Sequence, residues 1–347
     1  MSTLAVITSS PPLVDGGHLT IARALVTALR AEGHQADLVV TPQNRFGRQA
    51  AAYLATRLTD VGRTHDDRPI DQVISLRYPS YAVRHQRHVC WLNHTMREYY
   101  DLWDQFSASL TPLRQVKERV RRRAIHTADR YLLTKNVTRL FVQSETIGRR
   151  YAAWPELRAE VLYPPAPPRP YRVDEYEPYL FAISRFTPLK RMALVVEALA
   201  QPAAAGIRAV LAGEGESLAE VRRLVAERGL GDRVSLPGRL DEAQLVDHLA
   251  RCRAVVFPPL DEDYGFVTVE AFSAARPVVT CIDSGGPAEL VADGASGYVV
   301  EATPAALAES FRRLIEDRDL AARLGQAGLA VASRLTWAET VGKLVIV

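Results

Sequence analysis

Apolar residues along the chain fall into short runs that alternate with segments of helical periodicity. The run Leu4–Thr8 predicts a buried strand, and apolar positions spaced about 3.6 residues apart predict a helix over Leu19–Glu32. Further strands are predicted at Ala36–Val40, Gln72–Ser75, His88–Leu92 and Arg139–Val142. Alternation of this kind is typical of a parallel sheet that is covered by helices on both faces.

A proline-rich segment, Tyr163–Pro170, interrupts the pattern, because proline cannot continue a helix or a central strand. The pattern then restarts, with helices predicted at Ser217–Glu227 and Glu242–Ala250. The strands predicted in this second half are Tyr179–Ile183, Ala209–Ala212, Val234–Leu236, Ala254–Phe257 and Val278–Thr280.

We therefore predict two doubly wound α/β domains, residues 1–165 and 166–334, that face a cleft and are joined by the proline-rich hinge. Residues 335–347 are a candidate addition to the first domain. In open α/β sheets, ligands bind beyond the carboxyl ends of the strands, so the cleft is the expected site.

Length and composition fit this organisation. The chain has 347 residues, 48% hydrophobic and 24% charged, as expected of a globular protein with two full cores. Cys90, Cys252 and Cys281 are widely spaced in apolar runs, which predicts reduced thiols and no metal site. The opening residues lack the pattern of a signal peptide, and no apolar run approaches the ~18 residues of a membrane span. We expect a cytoplasmic protein.

Positive charge is concentrated in one segment, although the formal net charge is only +3. Residues 112–150 hold eleven Lys and Arg against three acidic residues. One interpretation is a solvated helix face. The other is a surface that meets an anionic acceptor or the inner leaflet of a membrane. No nucleic-acid-binding motif accompanies the charge, so we expect no nucleic-acid partner.

Two loops carry candidate anion-binding groups. Gly16 and Gly17 follow the first strand and precede a helix, where backbone N–H groups can approach an anion, although such turns often only connect elements. Arg185 and Lys190 follow the strand Tyr179–Ile183, on either side of a proline-restrained turn. Two cations held at a strand end can clamp a diphosphate.

A third loop follows the strand that ends at Phe257. It carries Glu262, and a helix is predicted to begin near Gly265 and to contain Glu270. At such a helix start, free amides are expected to face phosphate oxygens, and the two carboxylates are suited to bind hydroxyls of two different sugars. The amides concerned are those of Phe266, Val267 and Thr268.

The Glu262-x7-Glu270 spacing, the Arg185-x4-Lys190 pair and the Gly16-Gly17 loop resemble the retaining nucleotide-sugar glycosyltransferases of group 1. The resemblance runs the length of the chain and is most specific in the second half. It implies the GT-B fold, in which two Rossmann-like domains face a cleft, with the acceptor domain first and the donor domain second. Ala275 and Thr268 depart from the family pattern, which has glycine and an aliphatic residue there.

The resemblance also implies roles for individual residues. Glu270 would hold the donor ribose, and Glu262 the hydroxyls of the transferred sugar. Arg185 and Lys190 would bind the diphosphate and stabilise charge as it leaves, and His94 would face the reacting sugar. The donor-binding set implied is Gly16, Gly17, Arg185, Lys190, Arg239, Glu262, Gly265, Phe266, Val267, Thr268 and Glu270, with Arg239 beside the base.

The expected activity is transfer of a hexose-type sugar, with retention, from a UDP- or GDP-type nucleotide sugar to a glycan, lipid-linked or small-molecule acceptor. Arg185 and Lys190 are expected to replace a metal ion, and no cofactor is expected. A sugar-nucleotide epimerase or a catalytically silent sugar-nucleotide-binding protein of the same fold is the alternative.

Other interpretations are weaker. Glu262 and Glu270 could be a glycosidase pair, but the two cations would then have no purpose. The Gly213-Glu-Gly215 sequence suggests a dinucleotide site, but Leu218 occupies the place of the third glycine. The aromatic residues Trp91, Tyr99, Tyr100 and Trp103 either pack in a core or offer sugar-stacking surfaces.

Overall fold

The computed structural model describes residues 1–13, 16–43 and 46–347, and the chain divides into two compact units. Unit 1 comprises Met1–Pro164 and Thr336–Val347, and unit 2 comprises Pro165–Leu335. Both units are parallel α/β structures, which confirms the predicted fold class. No helix among the described residues is long and apolar enough to cross a membrane.

Strands and helices alternate in unit 1, and over the described residues six parallel strands form one sheet, in the order β2-β1-β3-β4-β5-β6. Short 3₁₀ helices follow β3 and β4, at Ser80–Ala82 and Arg97–Tyr99. In chain order the elements are β1 (Thr3–Ser10), α1 (Gly17–Ala31), β2 (Gln35–Pro42), α2 (Gln49–Leu58), β3 (Gln72–Arg77), β4 (His88–His94), α3 (Trp103–Ala108), α4 (Pro112–Lys135), β5 (Arg139–Val142), α5 (Glu145–Arg149) and β6 (Ala159–Val161).

Unit 2 continues the alternation, and its described strands form a six-stranded parallel sheet in the order β12-β11-β10-β7-β8-β9. Its elements are β7 (Tyr179–Ile183), α6 (Met192–Leu199), β8 (Arg208–Ala212), α7 (Leu218–Glu227), β9 (Val234–Gly238), α8 (Glu242–Arg251), β10 (Ala254–Val256), α9 (Phe266–Ser273), β11 (Val278–Cys281), α10 (Gly286–Leu290), β12 (Gly297–Val300), α11 (Pro304–Glu316) and α12 (Arg318–Ala332). Two 3₁₀ helices lie at Pro188–Lys190 and Pro202–Ala204. The last helix, α13 (Trp337–Leu344), belongs to unit 1 and packs against α1.

Each sheet has one point where the direction of winding reverses. In unit 1 it lies between the neighbouring strands β1 and β3, and in unit 2 between β7 and β10. Loops leaving the carboxyl ends of strands at such a point diverge to opposite faces and open a crevice, where ligands of α/β sheets bind. The strand order of unit 2 is the 3-2-1-4-5-6 order of dinucleotide-binding domains.

The aromatic residues around Trp91 pack inside unit 1. Trp91 and Tyr99 are fully buried, and Tyr100 is nearly so. The Trp91 Nε1 atom donates to the Leu162 carbonyl at 2.8 Å, and its ring lies edge-on to Trp337. For these three residues the sugar-stacking interpretation is therefore wrong, because their ring faces are covered by the core.

A buried carboxylate anchors the long helix α4. Asp129 accepts hydrogen bonds from Tyr53 and from Tyr81 (2.5 Å) at Oδ1, and from Tyr100 (2.6 Å) at Oδ2. Burial raises the pKa of Asp129 to about 6, although the three hydroxyls act to lower it. These bonds tie α4 to α2 and to the loops that follow β3 and β4.

Candidate functional site

The switch point of unit 2 brings two of the predicted loops together. The loop with Arg185 and Lys190 leaves the carboxyl end of β7, and the loop with Glu262 leaves the carboxyl end of the adjacent strand β10. The Leu260 amide donates to the Leu189 carbonyl at 2.8 Å, so the two loops are also joined by their backbones. Arg185 and Lys190 are far from Glu262 in the sequence, but the fold brings all three to one edge of the crevice.

Lys190 and Glu262 form an ion pair between the two loops. The Lys190 Nζ donates to the Glu262 Oε2, and both side chains are about one-fifth exposed. The Lys190 ammonium also lies 5.5 Å from the centroid of the Phe257 ring. Arg185, near the start of the same loop, is exposed. Two cations and one carboxylate are thus presented to solvent at the switch point.

Arg191 is a structural residue of this site that the sequence analysis missed. Its guanidinium donates to both carboxylate oxygens of Asp283 (2.8 and 2.6 Å) and to the carbonyls of Pro258 (2.7 Å) and Pro259 (2.5 Å). The hydrogen bonds from Arg191 lower the pKa of Asp283. The residue joins the loops that follow β7, β10 and β11, and it lies next to Lys190 in sequence.

Backbone bonds and glycines hold Glu262 in place. The Glu262 amide donates to the Ser284 carbonyl, and its own carbonyl accepts from the Gly286 amide, both at 2.9 Å. A Cβ on Gly285 would lie 2.6 Å from the Glu262 carbonyl oxygen, and one on Gly286 would lie 2.6 Å from the Tyr264 Cα. Only glycine allows this close approach, so the Gly285-Gly286 pair serves to position Glu262.

Helix α9 begins at the same edge. Gly265 occupies its N-cap with φ of 80°, and a Cβ there would lie 2.7 Å from the Phe257 ring. Phe266 and Val267 begin the first turn, where amides lack intrahelical acceptors. The Thr268 amide differs from the prediction, because it donates to the Gly265 carbonyl at 3.0 Å and is not free.

Glu270 is buried in α9 and is paired with a residue that the sequence analysis did not select. Its Oε1 accepts from the Arg169 Nη1 and from the Tyr171 hydroxyl (3.3 Å). Burial raises the pKa of Glu270, and the charge of Arg169 opposes that shift. No described residue donates to Oε2. Glu270 is therefore not a solvated helix position, since the residue is only 6% exposed.

The Gly213-Glu-Gly215 sequence serves the packing of loops. A Cβ on Gly213 would lie 1.8 Å from the Ser184 carbonyl oxygen, and one on Gly215 would lie 2.3 Å from the Phe186 carbonyl oxygen. Because both positions are glycine, the loop after β8 can pack directly against the loop that carries Arg185. Arg239 is exposed and directly follows β9, the strand beside β8.

The remaining predicted residues lie in unit 1. Gly16 caps α1 in an extended conformation, and Gly17 begins the helix. Val14 and Asp15 of the same loop lie outside the described residues. His94 ends β4, is half-buried, and lies in register with Arg77 of β3. The two glycines and His94 therefore occupy the carboxyl edge of the unit 1 sheet.

The metal-free expectation overlooked one pattern. Asp261 and Asp263 flank Glu262 with the spacing of an Asp-x-Asp metal motif. Within residues 1–13, 16–43 and 46–347, however, no group of three or more His, Cys, Asp or Glu side chains is arranged to hold a metal ion. The donor set at this loop does not fit a metal held by the protein alone.

The family model described as "Glycosyl transferases group 1" matches residues 167–330, which cover nearly all of unit 2. These residues belong to the group 1 glycosyl transferase family. Within the family domain lie Arg169, Arg185, Lys190, Glu262 and Glu270, all but the first of which the sequence analysis selected. The match ends before α13 and does not extend into residues 1–166.

Curated relatives are similar to slightly less than half of the chain. An α-1,3/1,6-mannosyltransferase of Homo sapiens is 26% identical over 181 residues, 46% of this chain and 43% of that protein. The chain spans less than half the length of the curated relatives it matches first, between 41% and 47%.

Solved structures resemble the whole chain. Sucrose-phosphate synthase from Thermosynechococcus elongatus has a TM-score of 0.74 at 19% identity and covers 98% of both chains. Anabaena HepE in complex with UDP-glucose has a TM-score of 0.67 at 17% identity, covering 98% of this chain and 100% of that one. At these identities the likeness concerns the fold alone, and it confirms the GT-B architecture expected for the family.

Proposed function

We propose that the chain is a retaining glycosyltransferase that moves a hexose-type sugar from a nucleoside diphosphate sugar to an acceptor hydroxyl. The observation that carries the proposal is the switch point of unit 2, where Lys190, Glu262 and the first turn of α9 meet. Cations beside a helix N-terminus suit a diphosphate, and an adjacent carboxylate suits sugar hydroxyls.

Each group has one task in this proposal. Arg185, Lys190 and the amides of Phe266 and Val267 bind the diphosphate. Glu262 accepts hydrogen bonds from hydroxyls of the transferred sugar. In the absence of donor, Lys190 and Glu262 hold each other in place as an ion pair. Their side chains therefore need little rearrangement when the phosphate and the sugar bind.

Glu270 is proposed to hold the ribose through Oε2, while Arg169 and Tyr171 occupy Oε1. A ribose hydroxyl is recognised best by an ionised carboxylate, and burial alone disfavours ionisation. The Arg169 charge therefore supports the form of Glu270 that binds. Arg239, exposed after β9, is proposed to lie beside the base, which we propose to be uridine or guanosine.

The chemistry proposed is departure of the diphosphate as the acceptor hydroxyl attacks the same face of the anomeric carbon. Negative charge grows on the leaving oxygen, where Arg185, Lys190 and the helix amides stabilise it without a metal ion. On unit 1, Gly16, Gly17 and His94 share the carboxyl edge of the sheet, and His94 is proposed to act beside the reacting sugar.

The comparisons support a sugar donor of this class. The Homo sapiens relative is a mannosyltransferase, and Anabaena HepE was solved with UDP-glucose bound. We propose a UDP- or GDP-sugar as the donor of this chain, with a glycan, a lipid-linked sugar or a small metabolite as acceptor. A cytoplasmic location remains a prediction of the sequence.

Product analysis tests this function. The full chain is incubated with UDP- and GDP-sugars and an acceptor panel in EDTA, and products are followed by ¹H NMR. The proposal is supported if nucleoside diphosphate is released and the glycosylated product has the same anomeric configuration as the donor. An inverted product would overturn retention, an epimerised but intact sugar nucleotide would indicate an epimerase, and donor binding without any product would indicate a silent binding protein.

A further inference from the structure

Helix α4 carries an apolar stripe that faces solvent. Leu113, Val116, Val120 and Tyr131 recur at helical spacing along one side, and Leu113 is 82% exposed. Scattered exposed apolar residues are ordinary on a protein surface, but Leu113, Val116 and Val120 lie on consecutive turns of one helix face, with Tyr131 further along the same face. Such recurrence on one face indicates an interaction surface.

Basic residues line both sides of the stripe. On the helix surface, Arg114 and Arg121 lie along one flank, Arg119 and Arg123 lie along the other, and Lys117 lies within the stripe. The two acidic residues of α4, Glu118 and Asp129, point inward and are buried. Of these cations, Arg114, Lys117, Arg119 and Arg123 form no ion pair with any residue that the structure describes. The outward side of α4 thus combines exposed apolar residues along its centre with cations at both margins and, at Lys117, within the stripe.

An apolar groove continues this surface onto α2. It has a volume of about 630 Å³ and runs between the two helices, lined by Ala50, Leu54, Ile125, Ala128 and Leu132. Leu54 and Leu58 of α2 are 60% and 74% exposed beside it. Arg57 and Arg121 also line the groove, but most of its lining is apolar and gives water few partners, which suits a hydrocarbon chain.

We propose that the face formed by α2 and α4 binds an anionic lipid bilayer, with α4 lying in the plane of the interface. An apolar stripe between rows of Arg and Lys is the pattern of helices that lie at the boundary between headgroups and acyl chains. The groove then receives an acyl chain. This inference stands apart from the proposed activity, because membrane binding can be measured without any sugar nucleotide.

Charge decides between occupants of this face. A second copy of the chain would oppose two positive faces, which disfavours a symmetric dimer through α4. A water-soluble anionic acceptor would satisfy the cations but would leave Leu113, Val116 and Leu58 exposed. An anionic bilayer satisfies both the cations and the apolar residues.

The position of α4 gives membrane binding a role in acceptor access. This role, unlike the binding itself, rests on the proposed function. The Arg122 Nε donates to the Tyr99 carbonyl at 2.8 Å, in the segment that follows His94. A membrane-bound α4 therefore holds the carboxyl edge of unit 1 close to lipid headgroups. Such an arrangement favours an acceptor that is itself anchored in the membrane.

Vesicle flotation of the full chain tests the proposal. Vesicles of phosphatidylcholine alone are compared with vesicles that contain about 30 mol% phosphatidylglycerol, at low and at high salt. The proposal predicts binding to the anionic vesicles only, weakened by salt. Equal binding to both vesicle types, or binding to neither, would overturn it.

Matched variants assign the binding to this face. Arg119→Gln/Arg123→Gln should weaken apparent binding by about 30-fold, since each cation near an anionic surface contributes about a fivefold factor. Val116→Asp/Val120→Asp should abolish it. Both pairs are exposed, so their far-UV circular dichroism should match that of the parent chain. The control Arg222→Gln/Arg223→Gln, on the exposed side of α7 in unit 2, should bind as the parent does. Unchanged binding of either α4 variant, or loss in the control, would overturn the assignment.

Discussion

The guanidinium of Arg169 pairs with the carboxylate of Glu270, which lies 101 residues further along the chain, inside helix α9. The side chains are 17% and 8% exposed, so the pair is largely shielded from water. Burial raises the pKa of Glu270 while the arginine opposes the shift. Arg169 thus opposes the effect of burial on the pKa of Glu270, the proposed ligand of the ribose, and holds its Oε1 in place.

Replacement of Arg169 by methionine should destabilise the chain by about 3–5 kcal/mol, because it leaves a buried carboxylate without its partner. Urea unfolding measures the change. Adding Glu270→Gln to Arg169→Met removes the uncompensated charge and should recover part of that loss. A double variant as unstable as the sum of the two single variants would show that the pair is not coupled.

Asp129 should make stability fall as pH rises from about 4 to about 7. Its pKa is about 6 in the folded chain against an ordinary value of 3.8, so the folded state holds the proton more tightly over that interval. The stabilisation is complete below the unfolded pKa and is lost as pH passes the folded pKa. Relative to Asp129→Asn, the parent should lose about 3 kcal/mol of unfolding free energy. A difference that is constant or grows with pH would contradict this.

Gly213→Ala should destabilise unit 2 by about 2–5 kcal/mol. Its backbone has φ of 129°, and the new Cβ would lie 1.8 Å from the Ser184 carbonyl oxygen. The matched control is Gly231→Ala, which meets nothing within 4 Å and should change stability by less than about 0.5 kcal/mol. Thermal unfolding compares the two. Equal effects would mean that close approach is not the reason for glycine at position 213.

Thr268 and Thr280 form a second matched pair, since both are fully buried. The Thr280 hydroxyl donates to the Phe257 carbonyl at 2.8 Å, whereas the Thr268 hydroxyl has no hydrogen-bond partner among the described residues. Thr280→Val should therefore cost about 1 kcal/mol, and Thr268→Val should be neutral or stabilising by a similar amount. Denaturant unfolding of both variants checks the sign. A large loss in Thr268→Val would indicate a hydrogen bond that the structure does not contain.

Local pattern predicted most strands of the fold, including short ones. Strands β5 and β7 begin and end at the predicted residues, because their apolar runs are bounded by polar and helix-forming segments. Strands β6 and β12 were missed, since β6 has three residues with two exposed and β12 is mostly half-buried. The order of strands within each sheet was not predicted, because periodicity along the chain does not specify which strands are neighbours.

The candidate site was predicted only in part for a similar reason. Lys190, Glu262 and Glu270 stand out by spacing and residue type. Arg169 and Arg191 act through partners about 90 to 100 residues away, and no local pattern marks those contacts. The ion pairing of Lys190 and Glu262 follows from the adjacency of β7 and β10, which only the structure shows.

Donor binding at the switch point of unit 2 is tested most directly by calorimetric titration in EDTA. UDP-glucose and GDP-mannose are titrated into the parent chain, into Arg185→Ala and into the control Arg222→Ala, both arginines being exposed. Binding of one donor, weakened about 10- to 100-fold in Arg185→Ala and unchanged in the control, is the predicted result, since a charged hydrogen bond contributes roughly 1.5–3 kcal/mol. Binding that Arg185→Ala leaves intact, or no binding of either donor, would contradict the proposed site.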